Sequence, residues 1–272
     1  MKKLKTNVVI IGAGPAGLAL ALYLKRAKID FLLLEKAAPG GKLNNIATID
    51  NYLGIKSITG PNLAFNMYQQ ITALGVEILN EEALKIEDGF LVHTSDSVIA
   101  TKIVVLALGI TMKKIAIPGY DKYFGHGIST CAICDGYLYR NKKIIVIGNN
   151  EIADKEYNYL KSLTSEIKRI DGVKEKILSF TGDKNLQFVT TTKQKYITDA
   201  AFVYSKESIN YSLIDSLKIT YENNRISVDK NYETSVHNCY AIGDVINKKI
   251  YQVIGAVNDA SIASVDIIKK IR

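Results

Sequence analysis

Val8-Val9-Ile10-Ile11-Gly12-Ala13-Gly14-Pro15-Ala16-Gly17 decides the fold. A short apolar strand runs into Gly-x-Gly-x-x-Gly, and an apolar segment with helical character follows to about Lys28. The first glycine permits a tight turn, the second lets backbone approach a pyrophosphate, and the third allows close packing of helix on strand. The helix N-terminus then faces the anion. Phe31 to Leu34 is the next strand and ends in Glu35, 23 residues after Gly12, where a carboxylate can accept hydrogen bonds from the ribose of an adenine dinucleotide. A lone glycine motif is weak; strand, turn, helix, strand and acid in this order predict an α/β, dinucleotide-binding βαβ unit.

The pattern returns later in the chain. Lys142 to Ile147 reads as a buried strand, followed by Gly148-Asn149-Asn150-Glu151-Ile152-Ala153 and a helix to about Thr164. Glu166 to Ile170 is then a strand, and Asp171 lies 23 residues after Gly148, the same interval as Gly12 to Glu35. Only Gly148 and the small Ala153 survive of the glycine pattern, and the Asn150 side chain is expected to intrude where backbone would meet pyrophosphate. Between the two units, Pro39-Gly40-Gly41-Lys42-Leu43 and Asp50-Asn51-Tyr52-Leu53-Gly54 are loops whose backbone is free to approach a flat ligand. Asn62 to Leu74 is a predicted helix, Val76 to Leu79 and Phe90 to Thr94 are short strands, and Ile103 to Leu108 is a buried strand ending at Gly109. Residues 171–233 alternate short β-like runs with polar loops and offer no visible chemistry. Asn238 to Val245 is again strand then turn, and Gln252 to Lys270 is a helix with apolar residues at Ile254, Val257, Ile262, Val265 and Ile268.

Two of the three cysteines stand together in Ser129-Thr130-Cys131-Ala132-Ile133-Cys134-Asp135-Gly136. A Cys-x-x-Cys pair can close a small disulfide and suits reversible two-electron chemistry, and Asp135 could supply or take the proton. Half of a zinc site is the rival reading, but Cys239, His93, His126 and His237 form no second paired motif, so no metal is expected. Buried, inert thiols are the other rival. Cys239, in an apolar strand, reads as a core residue.

At 272 residues with 47% hydrophobic and 23% charged residues, the chain has the composition of a globular protein with one or two cores. No leader pattern follows Met1-Lys2-Lys3, and no apolar run reaches about 18 residues, so a cytoplasmic protein without a membrane span is expected. The net charge of +8 favours an acidic partner. No nucleic-acid motif accompanies it and the lysines are scattered, so nucleic acid is not the expected partner.

Taken in order, Gly-Ala-Gly-Pro-Ala-Gly, Asp-Asn-Tyr-x-Gly, Cys-x-x-Cys-Asp-Gly, the second turn and Ala241-Ile242-Gly243-Asp244-Val245 resemble the low-molecular-weight flavoprotein thioredoxin reductases over nearly the whole chain. The stretch Gly127 to Lys143 carries the most specific part of the likeness. The resemblance implies two Rossmann-like, three-layer ββα domains, the degenerate second one inserted into the first. The expected boundaries are residues 1–112 plus 240–272 for an FAD domain and 113–239 for the redox-cysteine domain. It implies a homodimer that reduces thioredoxin. It makes Cys134 the flavin-proximal thiol, Cys131 the one that attacks thioredoxin, and Asp135 the acid/base. FAD is expected along Gly12, Gly14, Pro15, Ala16, Gly17, Glu35, Gly41, Lys42, Leu43, Asn51, Gly109, Gly243, Asp244, Gln252 and Val253. Where the family has a glycine-rich turn and arginines for NADPH, this chain has Asn149, Asn150 and Asp171. That departure resembles the ferredoxin-dependent branch, whose acidic donor suits a basic protein. The alternatives are NADH, with Asp171 on its ribose, less readily NADPH, or a flavin-bearing sensor without turnover.

Overall fold

The computed structural model describes residues 1–272 except 47, 113–114, 205–206 and 209–210, and leaves out the side chains of 111–112, 133–134, 151–152 and 207–208 as well. The chain divides into two compact units, Met1–Thr111 with Ser208–Arg272, and Met112–Glu207.

The first unit is built on the opening motif. Strand Lys2–Ile11 pairs in parallel with Phe31–Leu34 on one side and with Ser97–Leu106 on the other. The two long strands are each ten residues because Lys2 to Thr6 align with Ser97 to Thr101, ahead of the apolar stretches that announced them. Ser97–Leu106 has a divided second edge: its first half pairs with the antiparallel Leu91–Thr94, and its last residues with Cys239–Ala241. Helix Pro15–Arg26 covers one face, burying Leu18, Leu20 and Leu24 against Val8, Ile10, Val105 and the Val253–Ile271 helix. Each such side chain contributes about 1.5–3 kcal/mol relative to exposure.

The return to this unit comes at Ser208, not at residue 240 as the motifs implied. The reason is packing. Leu213, Ile214, Leu217 and Ile219, in what reads as a polar loop region, are buried with Val9, Ile86, Val104 and Ile226 on the other face of the sheet.

The second unit repeats the parallel βαβ arrangement with shorter elements. Its sheet runs Ile167–Ile170, Ile144–Ile147, Ala200–Val203, Ile128–Ser129, all parallel. Helix Glu151–Lys161 packs Ala153 and Leu160 against Ile144, Val146 and Phe202. An antiparallel meander, Ile177–Gly182, Leu186–Thr191 and Lys195–Ile197, completes it. No helix among the described residues is long and apolar enough to cross a membrane.

Candidate functional site

In the first unit the three motif glycines have different reasons to be glycine. Gly12 has φ +106°, and a Cβ there would sit 2.3 Å from the Ala107 carbonyl oxygen. A Cβ on Gly17 would sit 1.9 Å from the Gly12 carbonyl oxygen. Both are required by the protein's own packing. Gly14 is not: its backbone is extended at φ −71°, and a Cβ there meets no atom within 4 Å. A glycine that the fold does not need, facing open space at the start of the helix formed by Pro15, Ala16 and Gly17, is what close approach of a pyrophosphate requires.

Several of the other expected cofactor residues stand at the same turn. Gly41 packs over the turn, 3.5 Å from its notional Cβ to the Gly14 Cα, and the loop is tied down by the Gly40 N–H on the Ala13 carbonyl. Lys42 Nζ lies 3.8 Å from Asp244 Oδ2, and a Cβ on Gly243 would reach the Ala16 Cβ at 3.1 Å. Asn51 Nδ2 donates to Gln252 Oε1 at 3.0 Å, just before the Val253–Ile271 helix begins. Gly109 has φ +61° with open space around it. Leu43 is the exception: its side chain is buried with Ile49, Leu63 and Ala64, leaving only its backbone for a ligand. Glu35 is held by the Ala13 N–H at 2.8 Å and the Ala37 N–H at 3.0 Å, one on each oxygen, so both oxygens retain capacity to accept ribose hydroxyls. A cavity of 660 Å³ lined by Lys36, Ala37, Pro39, Phe65, Ile78 and Asn80 lies along the segment that follows it. The residues therefore fit a flavin adenine dinucleotide.

Two residues of this unit were not singled out from the sequence. Arg225, 6% exposed, donates to the Asp244 carbonyl and lies over the Tyr251 ring at 4.8 Å. Asp259, also buried, accepts from the Gly243 N–H at 3.1 Å and from Lys248 Nζ at 2.7 Å. Together they fix the Gly243-Asp244 turn. Asp259 leaves a trace in sequence, a carboxylate on the same helix face as buried Ala256, Ala260, Ala263 and Ile267. Arg225 leaves none.

The second glycine turn is closed. A Cβ on Gly148 would meet the Ala153 Cβ at 2.9 Å and the Tyr204 carbonyl oxygen at 3.0 Å, so packing alone explains this glycine. Asn150 does more than intrude: its Oδ1 accepts the Ala153 N–H at 2.9 Å and caps the helix whose N-terminus would hold an anion. Arg169 donates to the Gly148 carbonyl from Nε and Nη2, at 3.3 and 3.0 Å, and pairs with Asp154. Asp171 is engaged in a turn of its own. Its Oδ1 accepts the N–H groups of Val173 and Lys174 at 3.0 and 3.1 Å, and the Lys174 and Val173 amides hold its carboxyl below the usual range. Its Oδ1 is thus engaged by its own turn, with Lys174 and Arg169 nearby to offset part of the charge, while the hydrogen bonds leave Oδ2 able to accept from a ligand.

The redox stretch lies in this second unit. Cys131 is held in a disulfide and begins the Ala132–Asp135 turn of helix; the Cys134 side chain lies outside the described residues. Ser129 organises the pair's surroundings: its Oγ accepts the Cys131 N–H at 3.1 Å and its hydroxyl donates to Asp135 Oδ2 at 2.6 Å. Cys239, by contrast, is a fully buried free thiol pushed up to about 12 by that burial.

A family model described as pyridine nucleotide-disulphide oxidoreductase matches residues 6–175 and 163–260. A thioredoxin reductase of Ureaplasma parvum is 33% identical, the match spanning 95% of this chain and 94% of that protein. One from Mycoplasma genitalium is 31% identical over 93% and 91%. Among solved structures, thioredoxin reductase from Streptococcus pyogenes superposes with a TM-score of 0.90 at 27% identity, covering 98% of each chain. A ferredoxin-flavin thioredoxin reductase from Clostridium acetobutylicum gives 0.60 at 28%, covering 99% of each.

Proposed function

This chain belongs to the pyridine nucleotide-disulphide oxidoreductase family, and from that membership we propose that it is a thioredoxin reductase whose Cys131–Cys134 pair delivers two electrons to thioredoxin. Its cofactor is FAD. We further propose that the electron donor is reduced ferredoxin and that the protein acts as a homodimer.

The observation that carries the donor assignment is the contrast between the two turns. Gly14 faces open space, whereas the helix behind Gly148 is capped by Asn150 and its carbonyl is held by Arg169. One nucleotide can be received at the first turn; at the second, the Ala153 amide is already taken by the Asn150 side chain and the Gly148 carbonyl by Arg169. Bound flavin accepts electrons singly and releases them in pairs, which is the conversion a one-electron donor requires. The net charge of +8 favours an acidic protein donor.

Opening the disulfide takes two electrons and two protons. Asp135, held by the Ser129 hydroxyl, is placed next to the pair to give or take one of them. The Cys131 thiolate then attacks a sulfur of oxidised thioredoxin, forming a mixed disulfide and releasing one thioredoxin thiolate. Attack by Cys134 on Cys131 re-forms the disulfide, frees the second thiolate and leaves thioredoxin as a dithiol.

A nicotinamide donor is the second reading. The description of the matched family favours it, as do Arg169 and Lys174, the cations near Asp171 at the end of the second unit's outer strand. The thioredoxin assignment is tested with Cys131→Ser and Cys134→Ser, each supplied with photochemically reduced flavin. Both should lose thioredoxin reduction while still binding FAD. Turnover retained by either variant would refute the role given to the pair.

A further inference from the structure

We propose that Glu156 is a positioning residue that sets the reducing power of the Cys131 disulfide, its carboxylate standing against the Ala132 amide and disfavouring the Cys131 thiolate. The inference rests on the redox role given to Cys131 above.

Glu156 belongs to the Glu151–Lys161 helix, 25 residues beyond Cys131 in sequence. One oxygen, Oε2, accepts the Ala132 N–H at 2.6 Å and the Tyr204 hydroxyl at 3.1 Å. Ala132 is fully buried and Tyr204 nearly so. Burial, and after it the neighbouring Glu156 charge, push the Tyr204 hydroxyl upward, so it stays protonated and remains a donor. The carboxylate is therefore fixed from two sides, by the amide joined to Cys131 and by a tyrosine at the end of the Ala200–Val203 strand.

Standard backbone dimensions put an acceptor on that amide about 4–7 Å from the Cys131 sulfur. At that range a fixed negative charge raises a thiol and opposes its ionisation. Among the described residues, the titratable groups near the pair include Asp135, held by Ser129, and the hydroxyls of Tyr204 and Tyr139, the latter raised by burial and then by Asp135. Reduction of the disulfide consumes two electrons and two protons, or one proton where a thiolate persists. Stabilising the thiolate pulls the couple toward the dithiol and weakens it as a reductant. Glu156 acts in the opposite sense, so the reduced pair gives up its electrons more readily.

The test uses Glu156→Gln in the FAD-loaded enzyme. Glutamine still offers an oxygen to the Ala132 amide and the Tyr204 hydroxyl, so the substitution removes charge and little else. Wild type and variant are equilibrated in dithiothreitol redox buffers from about pH 6 to about pH 9, bracketing the ordinary thiol range. They are then acid-quenched, alkylated and read by mass spectrometry at the Cys131 peptide. The Cys131 pKa from iodoacetamide kinetics should fall by about one unit in the variant. Its midpoint should coincide with wild type at the acid end and rise above it at the alkaline end by about 30 mV, the equivalent of a tenfold change for two electrons. Tyr204→Phe keeps the charge and should leave the midpoint unchanged or lower it. Equal midpoints of wild type and Glu156→Gln at every pH, or both variants moving in the same direction, would overturn the proposal. A wild-type enzyme with no reversible couple at Cys131 would instead overturn the reading on which it rests.

Discussion

Gly14→Ala separates what the fold needs from what the cofactor needs. The backbone at Gly14 is extended, at φ −71° and ψ −178°, which any residue adopts, and the added Cβ meets no protein atom within 4 Å. Folding of the flavin-free protein should therefore be unharmed, and the smaller entropy of the unfolded chain should stabilise it by about 0.4–1 kcal/mol. The same methyl group occupies the face against which the pyrophosphate would rest. Forcing a group into a close-packed contact costs about 1–3 kcal/mol, so FAD affinity should fall about five- to 150-fold. Gly17→Ala is the comparison: its Cβ would lie 1.9 Å from a backbone oxygen, and the flavin-free protein itself should be destabilised. Urea unfolding of the stripped proteins and fluorescence titration with FAD measure the two effects independently. A Gly14→Ala protein that binds FAD as tightly as wild type, or that loses stability without FAD, would refute the placement.

Other consequences are simpler to state. Cys239, raised to about 12 by burial, has essentially no thiolate at about pH 8, where an ordinary thiol is partly ionised. Native oxidised enzyme should therefore show no thiol that reacts rapidly with iodoacetamide, and reduction should expose two; a fast-reacting Cys239 would contradict the assigned burial. Asn150→Ala should cost about 1 kcal/mol through loss of the helix cap and Asn150→Gly only a few tenths, as urea midpoints would report. Neither substitution should create reduction of the flavin by NADPH, because Arg169 still holds the Gly148 carbonyl.

The parts legible in sequence were those whose cause is local. Gly12, Gly14 and Gly17 announce a turn because each spacing has its own geometric demand, and Glu35 follows at a distance fixed by one helix and one strand. The long strands Lys2–Ile11 and Ser97–Leu106 extend beyond their apolar stretches because each supplies the other's hydrogen bonds, a fact written in neither segment alone. Likewise the return to the first unit at Ser208 depends on where Leu213 and Leu217 find a surface to cover. Asp171 shows the same limit: its interval from Gly148 is legible in sequence, but the engagement of its Oδ1 by the Val173 and Lys174 amides is not. Glu156, Arg225 and Asp259 act through approaches across 16 to 24 residues of sequence, to Ala132, Asp244 and Gly243, and no local pattern encodes those meetings.

The donor is the most consequential assignment, and anaerobic stopped-flow reduction of the bound flavin tests it directly. Reduced ferredoxin, NADPH and NADH are each mixed with the oxidised enzyme while flavin absorbance is followed. A basic protein meeting an acidic donor through a small, transient contact should react more slowly as salt rises from about 0.05 to about 0.5 M, where the Debye length shrinks from roughly 14 to roughly 4 Å. The expected result is fast, salt-sensitive reduction by ferredoxin and almost none by either nicotinamide nucleotide. Rapid, saturable reduction by NADPH or NADH, with no salt-sensitive reduction by ferredoxin, would contradict the account and make the second glycine turn a working nucleotide site after all.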